Sequence, residues 1–338
     1  MNASNPLRCL GRIARRSFTL VELLVVIAII AMLATMVLFA MQGAQETARR
    51  SRTEGQIAKL NSLIQERWDS FLTRRLPIVI QPGTQFLPSR LPVNPDTSPQ
   101  SVARIRLDAL RELMRLELPD RRSDVMDPPR PPVPPVVMGV NRTASSLAYL
   151  RRADRNKDGI LTDDEWSKTH QGAECLYMIV ATTSDGDTNG LDFFKPNEIG
   201  NVDGDGMPEI LDAWGNPIMF LRWAPGFRSP LQDPLSQPSP EPDPFDPLGI
   251  YNPPVNPPNP PQHIALFPLI LSAGPDGLYD IGTQLPNGAV LSYASIKPPN
   301  DPYFLVAPGQ GMGVQTDSDS DGVISHFDNI HNHLLQTR

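Results

Sequence analysis

Leu23–Met41 reads LLVVIAIIAMLATMVLFAM, nineteen residues with no charge, no glycine, no proline and a single hydroxyl at Thr35. As an α-helix this run spans roughly 28 Å, close to the thickness of a hydrocarbon core. A secretory signal peptide has a shorter apolar region of about 7 to 15 residues ending at a small-residue cleavage site, whereas this run continues. Beyond it, Ile57, Leu60, Ile64, Trp68 and Phe71 recur at spacings of 3, 4, 4 and 3, with Arg49, Arg50, Glu54, Lys59 and Glu66 interspersed. That spacing predicts one helix that leaves the membrane and continues as an amphipathic helix to about Arg75, where Pro77 ends it. Glu22 stands one residue before the apolar run. A carboxylate in hydrocarbon is unfavourable unless it finds a partner, so Glu22 calls for a role.

Working outward, Arg15-Arg16-Ser17-Phe18-Thr19-Leu20-Val21-Glu22-Leu23-Leu24 resembles the prepilin cleavage and methylation signal of type IV pilins and type II secretion pseudopilins. The resemblance implies that prepilin peptidase cuts between Ser17 and Phe18 and methylates the new amine. It also implies that Glu22, the fifth mature residue, pairs with the N-terminal amine of a neighbouring subunit. Ser17 stands where the family usually has glycine. The physical logic is independent of the family: an ammonium at Phe18 and a carboxylate on the next subunit neutralise each other in a low-dielectric medium, and a staggered helical array offers that pairing. The implied partners are further copies of the chain in a helical filament, other pseudopilins, the inner-membrane assembly platform and prepilin peptidase. Basic residues flank the span equally, with Arg8, Arg12, Arg15 and Arg16 before it and Arg49, Arg50, Arg52 and Lys59 after it. Charge alone therefore sets no orientation. The resemblance, with the absence of acid from residues 1–17, places the leader in the cytoplasm and the body in the periplasm or at the cell surface.

The full chain of 338 residues carries a net charge of −7, and its first 17 residues hold four arginines and no acid, so the body is more acidic still. Such a body repels nucleic acid and attracts cations. With 38 prolines, 23 glycines and two cysteines, Cys9 and Cys175, the chain is neither one uniform domain nor a disulfide framework. The expected layout is a leader at 1–17, an assembly helix at 18–75, a connector at 76–142, a calcium-binding segment at 143–183 and a β body at 184–338. Within the connector an amphipathic helix runs from about Ser101 to Pro119. Further helices are expected over 145–152 and 164–182, and strands over 218–223, 264–271 and 290–296. Residues 225–262 hold fourteen prolines and read as an extended surface loop. The expected class is α+β, a long N-terminal helix leading into a small, mostly antiparallel sheet body, the layout that the pilin resemblance implies.

Three acidic loops suggest calcium. Asp154, Asn156, Asp158, Ile160, Thr162 and Glu165 fall at positions 1, 3, 5, 7, 9 and 12 of an EF-hand loop, with Gly159 at position 6. Asn201, Asp203, Asp205, Met207 and Asp212 repeat the pattern, with Asp for Glu at the end and Pro208 in the usual apolar position. Asp212-Ala213-Trp214-Gly215-Asn216-Pro217-Ile218 resembles a segment of the major type II secretion pseudopilin, while the residues themselves read as a core anchor and a turn. Leu271-Ser272-Ala273-Gly274-Pro275-Asp276-Gly277 is similar to that family's calcium loop, and the resemblance carries Ser272, Asp276 and Asp328 over as ligands. Asp317, Asp319 and Asp321 offer an alternative set. Asp185, Asp187 and Asn189 read as a polar loop, and His326, His331 and His333 as a solvated tail. Cys175 lies on an apolar stretch and reads as a buried thiol. No phosphate loop or nucleophile elbow supports an enzyme. The expectation is a calcium-stabilised filament subunit, the rival a single-span anchored EF-hand protein outside any filament.

Overall fold

The computed structural model describes residues 19–80, 85–86, 92–93, 98–132, 136–160, 162, 164–185, 188–232, 241–250, 264–282, 312–316 and 328–335. It divides into two compact units, Met1–Ala48 and Arg49–Arg338. Helix α1, Leu20–Ser70, runs through the end of the first and the start of the second. Within the first unit every large apolar side chain from Leu20 to Met41 is exposed. The helix is long and apolar enough to cross a membrane. It satisfies its own backbone there, as lipid demands.

The second unit begins with the amphipathic end of α1. Ile57, Leu60, Leu63, Ile64 and Trp68 are buried in the core, joined by Phe71 in the turn after the helix. The stripe was legible from its spacing, although α1 stops at Ser70 rather than near Arg75. Helix α2, Pro99–Glu117, starts where Ser98 accepts a hydrogen bond from the Ser101 amide at 3.3 Å, with Pro99 at its first position. A short α3, Arg122–Met126, and α4, Ala144–Ala153, follow. Helix α5, Gln171–Thr182, is buried along nearly all its length and packs on the strands at Glu209–Ile210 and Met219–Leu221, which makes it the central helix of the body. It begins seven residues later than the expected 164 because residues 164–170 form turns.

The strands are short and antiparallel. β1 (Val79–Ile80) pairs with β4 (Val136–Met138), and β2 (Gln85–Phe86) with β3 (Pro92–Val93). β5 (Ser184–Asp185) pairs with β6 (Thr188–Asn189), and β7 (Ile199–Gly200) with β8 (Glu209–Ile210). A three-stranded sheet has β10 (Leu269–Ser272) between β9 (Met219–Leu221) and β11 (Ile330–His331). Helix α6, Asn332–Leu335, ends the described chain. This is α+β with a pilin-like layout. The strand expected over 290–296 lies outside the described residues.

Two expectations are corrected. His331 and His333 are not in a solvated tail: both are buried against Phe227, with His333 bonded to Ser229 Oγ at 2.8 Å, while His326 lies outside the described residues. Burial holds the His333 ring neutral, with its pKa down at about 4. Nor are the described ends of the proline-rich stretch an unpacked loop. Phe245 stands edge-on to Trp68 at 5.2 Å between ring centroids, and Asp243 takes Arg111 Nη2 at 2.8 Å.

Several buried charges are paired with one another. Arg222 Nη1 donates to Asp124 Oδ2 at 2.9 Å, its amide donates to Asp120 Oδ2 at 3.0 Å, and Arg121 Nε reaches Asp120 Oδ1 at 2.8 Å. Burial opposes ionisation of Asp120, yet Arg121 and Arg222 hold its carboxyl at about 2. This network ties the α2–α3 turn to β9 beneath α5. Removing one partner strands the others, so Asp120→Ala is expected to lower stability by about 3–5 kcal/mol. A urea unfolding midpoint unchanged from wild type would contradict the assignment.

Candidate functional site

The N-terminal end of α1 holds Glu22. Thr19 and Glu22 form a capping box: Glu22 Oε2 accepts from the Thr19 amide and from Thr19 Oγ1, both at 2.9 Å, while the Glu22 amide donates to Thr19 Oγ1 at 3.1 Å. Oε1 makes no hydrogen bond among the described residues. Glu22 thus has a local partner as well as an exposed position. The Thr-x-x-Glu signature would have shown this, because such boxes open helices. Ser17 and Phe18 lie outside the described residues.

Below the membrane segment, α1 is docked on the body by side chains that all lie within the second unit. Arg52 grips Glu198 Oε1 through Nε at 3.0 Å and Nη2 at 2.7 Å. Thr53 Oγ1 accepts from the Ala213 amide at 3.1 Å, and Gln56 Nε2 donates to the Leu211 carbonyl at 3.2 Å. Three of these anchors, Glu198, Leu211 and Ala213, flank the β7–β8 hairpin.

That hairpin carries the second acidic loop. Positive φ at Gly204 (79°) and Gly206 (91°) folds it tightly. Its acids do not gather as an EF-hand would have them. Asn201 Oδ1 accepts from the Gly204 amide at 2.8 Å, and the Met207 amide donates to Asp205 Oδ1 at 2.7 Å. Asp212, expected to close the loop, turns away: its Oδ1 caps the amides of Trp214, Gly215 and Asn216 at 2.8–2.9 Å, and its Oδ2 takes Ser272 Oγ at 2.7 Å. The carboxylates that do converge are Asp203 with Glu209 of β8 and Glu174 of α5, whose oxygens lie within 4.8 Å of one another. Asp205 lies close enough to the same group to raise the Glu174 carboxyl. These acids could hold a metal ion.

Their electrostatics follow from burial. Glu174 and Glu209 are fully buried. Desolvation, opposed by the Trp166 indole N–H and reinforced by Asp205 and Asp203, pushes Glu174 up to about 9. Desolvation, opposed by the Val202 amide and reinforced by the same two acids, brings Glu209 to about 7. Ser167 Oγ donates to Asp203, and the Ser167 amide to Asp205.

The first acidic loop lies alongside. Arg155 Nη2 donates to the Glu165 carbonyl at 2.8 Å and to the Asp205 carbonyl at 2.7 Å, joining the two loops back to back. Asp154 Oδ2 accepts from the Gly159 amide at 3.1 Å, Asn156 Oδ1 from Asp158 at 3.0 Å and Asp158 Oδ1 from Ile160 at 2.7 Å. Glu165 Oε2 is taken by the Thr162 amide and hydroxyl, both at 3.2 Å. In the third region Asp328 closes on the Ser272–Gly277 loop: a Cβ at Gly274 would lie 2.9 Å from the Asp328 carbonyl oxygen. Burial, with Asp276 and Asp280 nearby, raises the Asp328 carboxyl. Asp276 itself caps the Leu278 amide at 2.8 Å. Asp317, Asp319 and Asp321 lie outside the described residues.

Residues 12–38 match the family model of the prokaryotic N-terminal methylation motif. With the long apolar helix behind it, this motif is consistent with a type IV pilin-like protein. The motif supports a prepilin-like, peptidase-processed protein of the pilin and pseudopilin kind, and the one such apolar helix among the described residues fits a single-pass inner-membrane protein. No curated protein and no solved structure matches the chain.

The folded chain holds the Glu174 proton up to about pH 9, while an unfolded chain releases it near 4.5. The stability linked to that proton is therefore present below about pH 4.5 and lost as pH rises toward 9. In chelator, the thermal midpoint of the body is expected to fall across this window, and Glu174→Gln to flatten the fall. A midpoint indifferent to pH in wild type would contradict the burial of this acid.

Proposed function

We propose that the chain is a structural subunit of a helical filament, a type II secretion pseudopilus or a type IV pilus-like fibre, and that it is no enzyme. Its leader is cut between Ser17 and Phe18, its apolar helix holds it in the inner membrane, and its body stands in the periplasm. The observation that carries the reading is a carboxylate, Glu22, at the head of an exposed apolar helix inside a methylation motif. Apolar packing of α1 against neighbouring copies drives assembly, and the Phe18 amine paired with Glu22 sets the stagger. Calcium at the Asp154–Glu165 loop and at Asp276 and Asp328 offsets repulsion among the body's carboxylates.

The capping box favours a second reading. If Glu22 serves only Thr19 of its own helix, the chain is a single-span anchored calcium-binding protein. Glu22→Gln separates the two, because glutamine keeps the capping acceptor and removes the charge. The filament reading predicts that Glu22→Gln and Glu22→Ala both insert into the membrane and both stay out of sheared filaments or cross-linked oligomers in the native host. Wild-type incorporation of Glu22→Gln would remove the charge-pairing role and leave the anchor.

A further inference from the structure

We infer that Glu174, Asp203, Asp205 and Glu209 form an internal calcium centre that clasps helix α5 to the β7–β8 hairpin, the surface on which the lower part of α1 docks. The ligand set is not the EF-hand set of the second loop. It keeps the acids at positions 3 and 5, replaces Asp212 with Glu209, and adds Glu174 from a helix nearly thirty residues earlier in the chain. The inference does not depend on the chain entering a filament.

Proximity of acids is not enough to make a site. Two buried oxygens point to an occupant: Glu174 Oε1 and Glu209 Oε1 make no hydrogen bond, and both side chains are fully buried. A buried acceptor left unmade is costly. A proton on one acid neutralises that acid and leaves the others charged. One divalent cation satisfies all of them together. The donors are oxygens only, with no imidazole or thiolate in the group, so the cation is a hard one. One oxygen from each of Glu174, Asp203 and Glu209 lies within 4.8 Å of the others, a separation that an ion with calcium–oxygen bonds of about 2.4 Å can bridge.

The consequence is mechanical. Glu209 pairs with Gly200 across the hairpin, and Glu198, just before β7, holds Arg52 of α1. Leu211 and Ala213, just after β8, hold Gln56 and Thr53. A cation that fixes Glu209 to Glu174 fixes the hairpin to the central helix, and the docking contacts with it.

Trp166 supplies the probe, because its indole N–H donates to Glu174. Terbium(III) added to the metal-free full chain in detergent is expected to give luminescence through tryptophan excitation, and calcium to displace it. In a Glu165→Gln/Asp328→Asn background, which impairs the other proposed calcium loops, the double variant Glu174→Gln/Glu209→Gln should abolish that emission and remove one bound calcium per chain by calorimetry. The double variant mimics the protonated acids, so its metal-free thermal midpoint should match or exceed wild type and show that it is folded. Trp166→Phe should dim the emission and keep the calcium stoichiometry. Unchanged calcium stoichiometry in the double variant would overturn the centre, as would wild-type binding of zinc with no binding of calcium.

Discussion

A single helix has to meet two solvents, and the rest of the molecule is arranged around that demand. From Leu20 to Met41 α1 shows only apolar side chains on every face, apart from Glu22 and Thr35, and all of the large ones are exposed. From Ile57 onward the same helix presents one apolar stripe that vanishes into the body. The change from all-round to one-sided hydrophobicity marks where lipid or neighbouring helices give way to the chain's own core. Within the second unit the body covers one face of this helix from Ile57 onward.

Buried charge is the second constraint. Asp120, Asp124 and Arg222 neutralise one another beneath α5, and Arg111 meets Asp243. Those networks contain their own cations. Around Glu174 and Glu209 the Trp166 indole and the Val202 amide donate, neither of them a cation, and Arg155 of the neighbouring loop spends its guanidinium on the carbonyls of Glu165 and Asp205. An acidic centre without a counter-charge in the chain is balanced by protons or by an ion from outside. This separates it from the structural salt bridges, although Glu174 and Glu209 are as buried as those pairs.

Much of this was legible in the sequence, for identifiable reasons. The apolar run and the Ile57–Phe71 stripe depend on local periodicity, which survives folding unchanged. Gly159 and Gly206 sit at positive φ where the acidic loops turn, as Gly at the sixth position demands. What was missed depends on contacts distant in sequence. Glu174 is the one charge in Gly172–Thr182, and the reasoning that singled out Glu22, an acid in an apolar setting, applied to it equally. Asp212 satisfied a loop template by position, yet the turn at Trp214–Asn216 offered it three amides and won. His331 and His333 lie close to the end of the chain, but Phe227 and β10 give them a core to enter. Thr19 is legible in the sequence only as the first residue of a Thr-x-x-Glu cap, next to a far stronger apolar signal.

The central claim is that this chain is a processed prepilin whose mature end is the charge partner of Glu22. Intact mass of the membrane-extracted protein from its native host tests it most directly. A chain beginning at Phe18 and carrying one added methyl group is the predicted result. A chain that retains residues 1–17 would contradict it, since Glu22 would then have no neighbouring amine to meet.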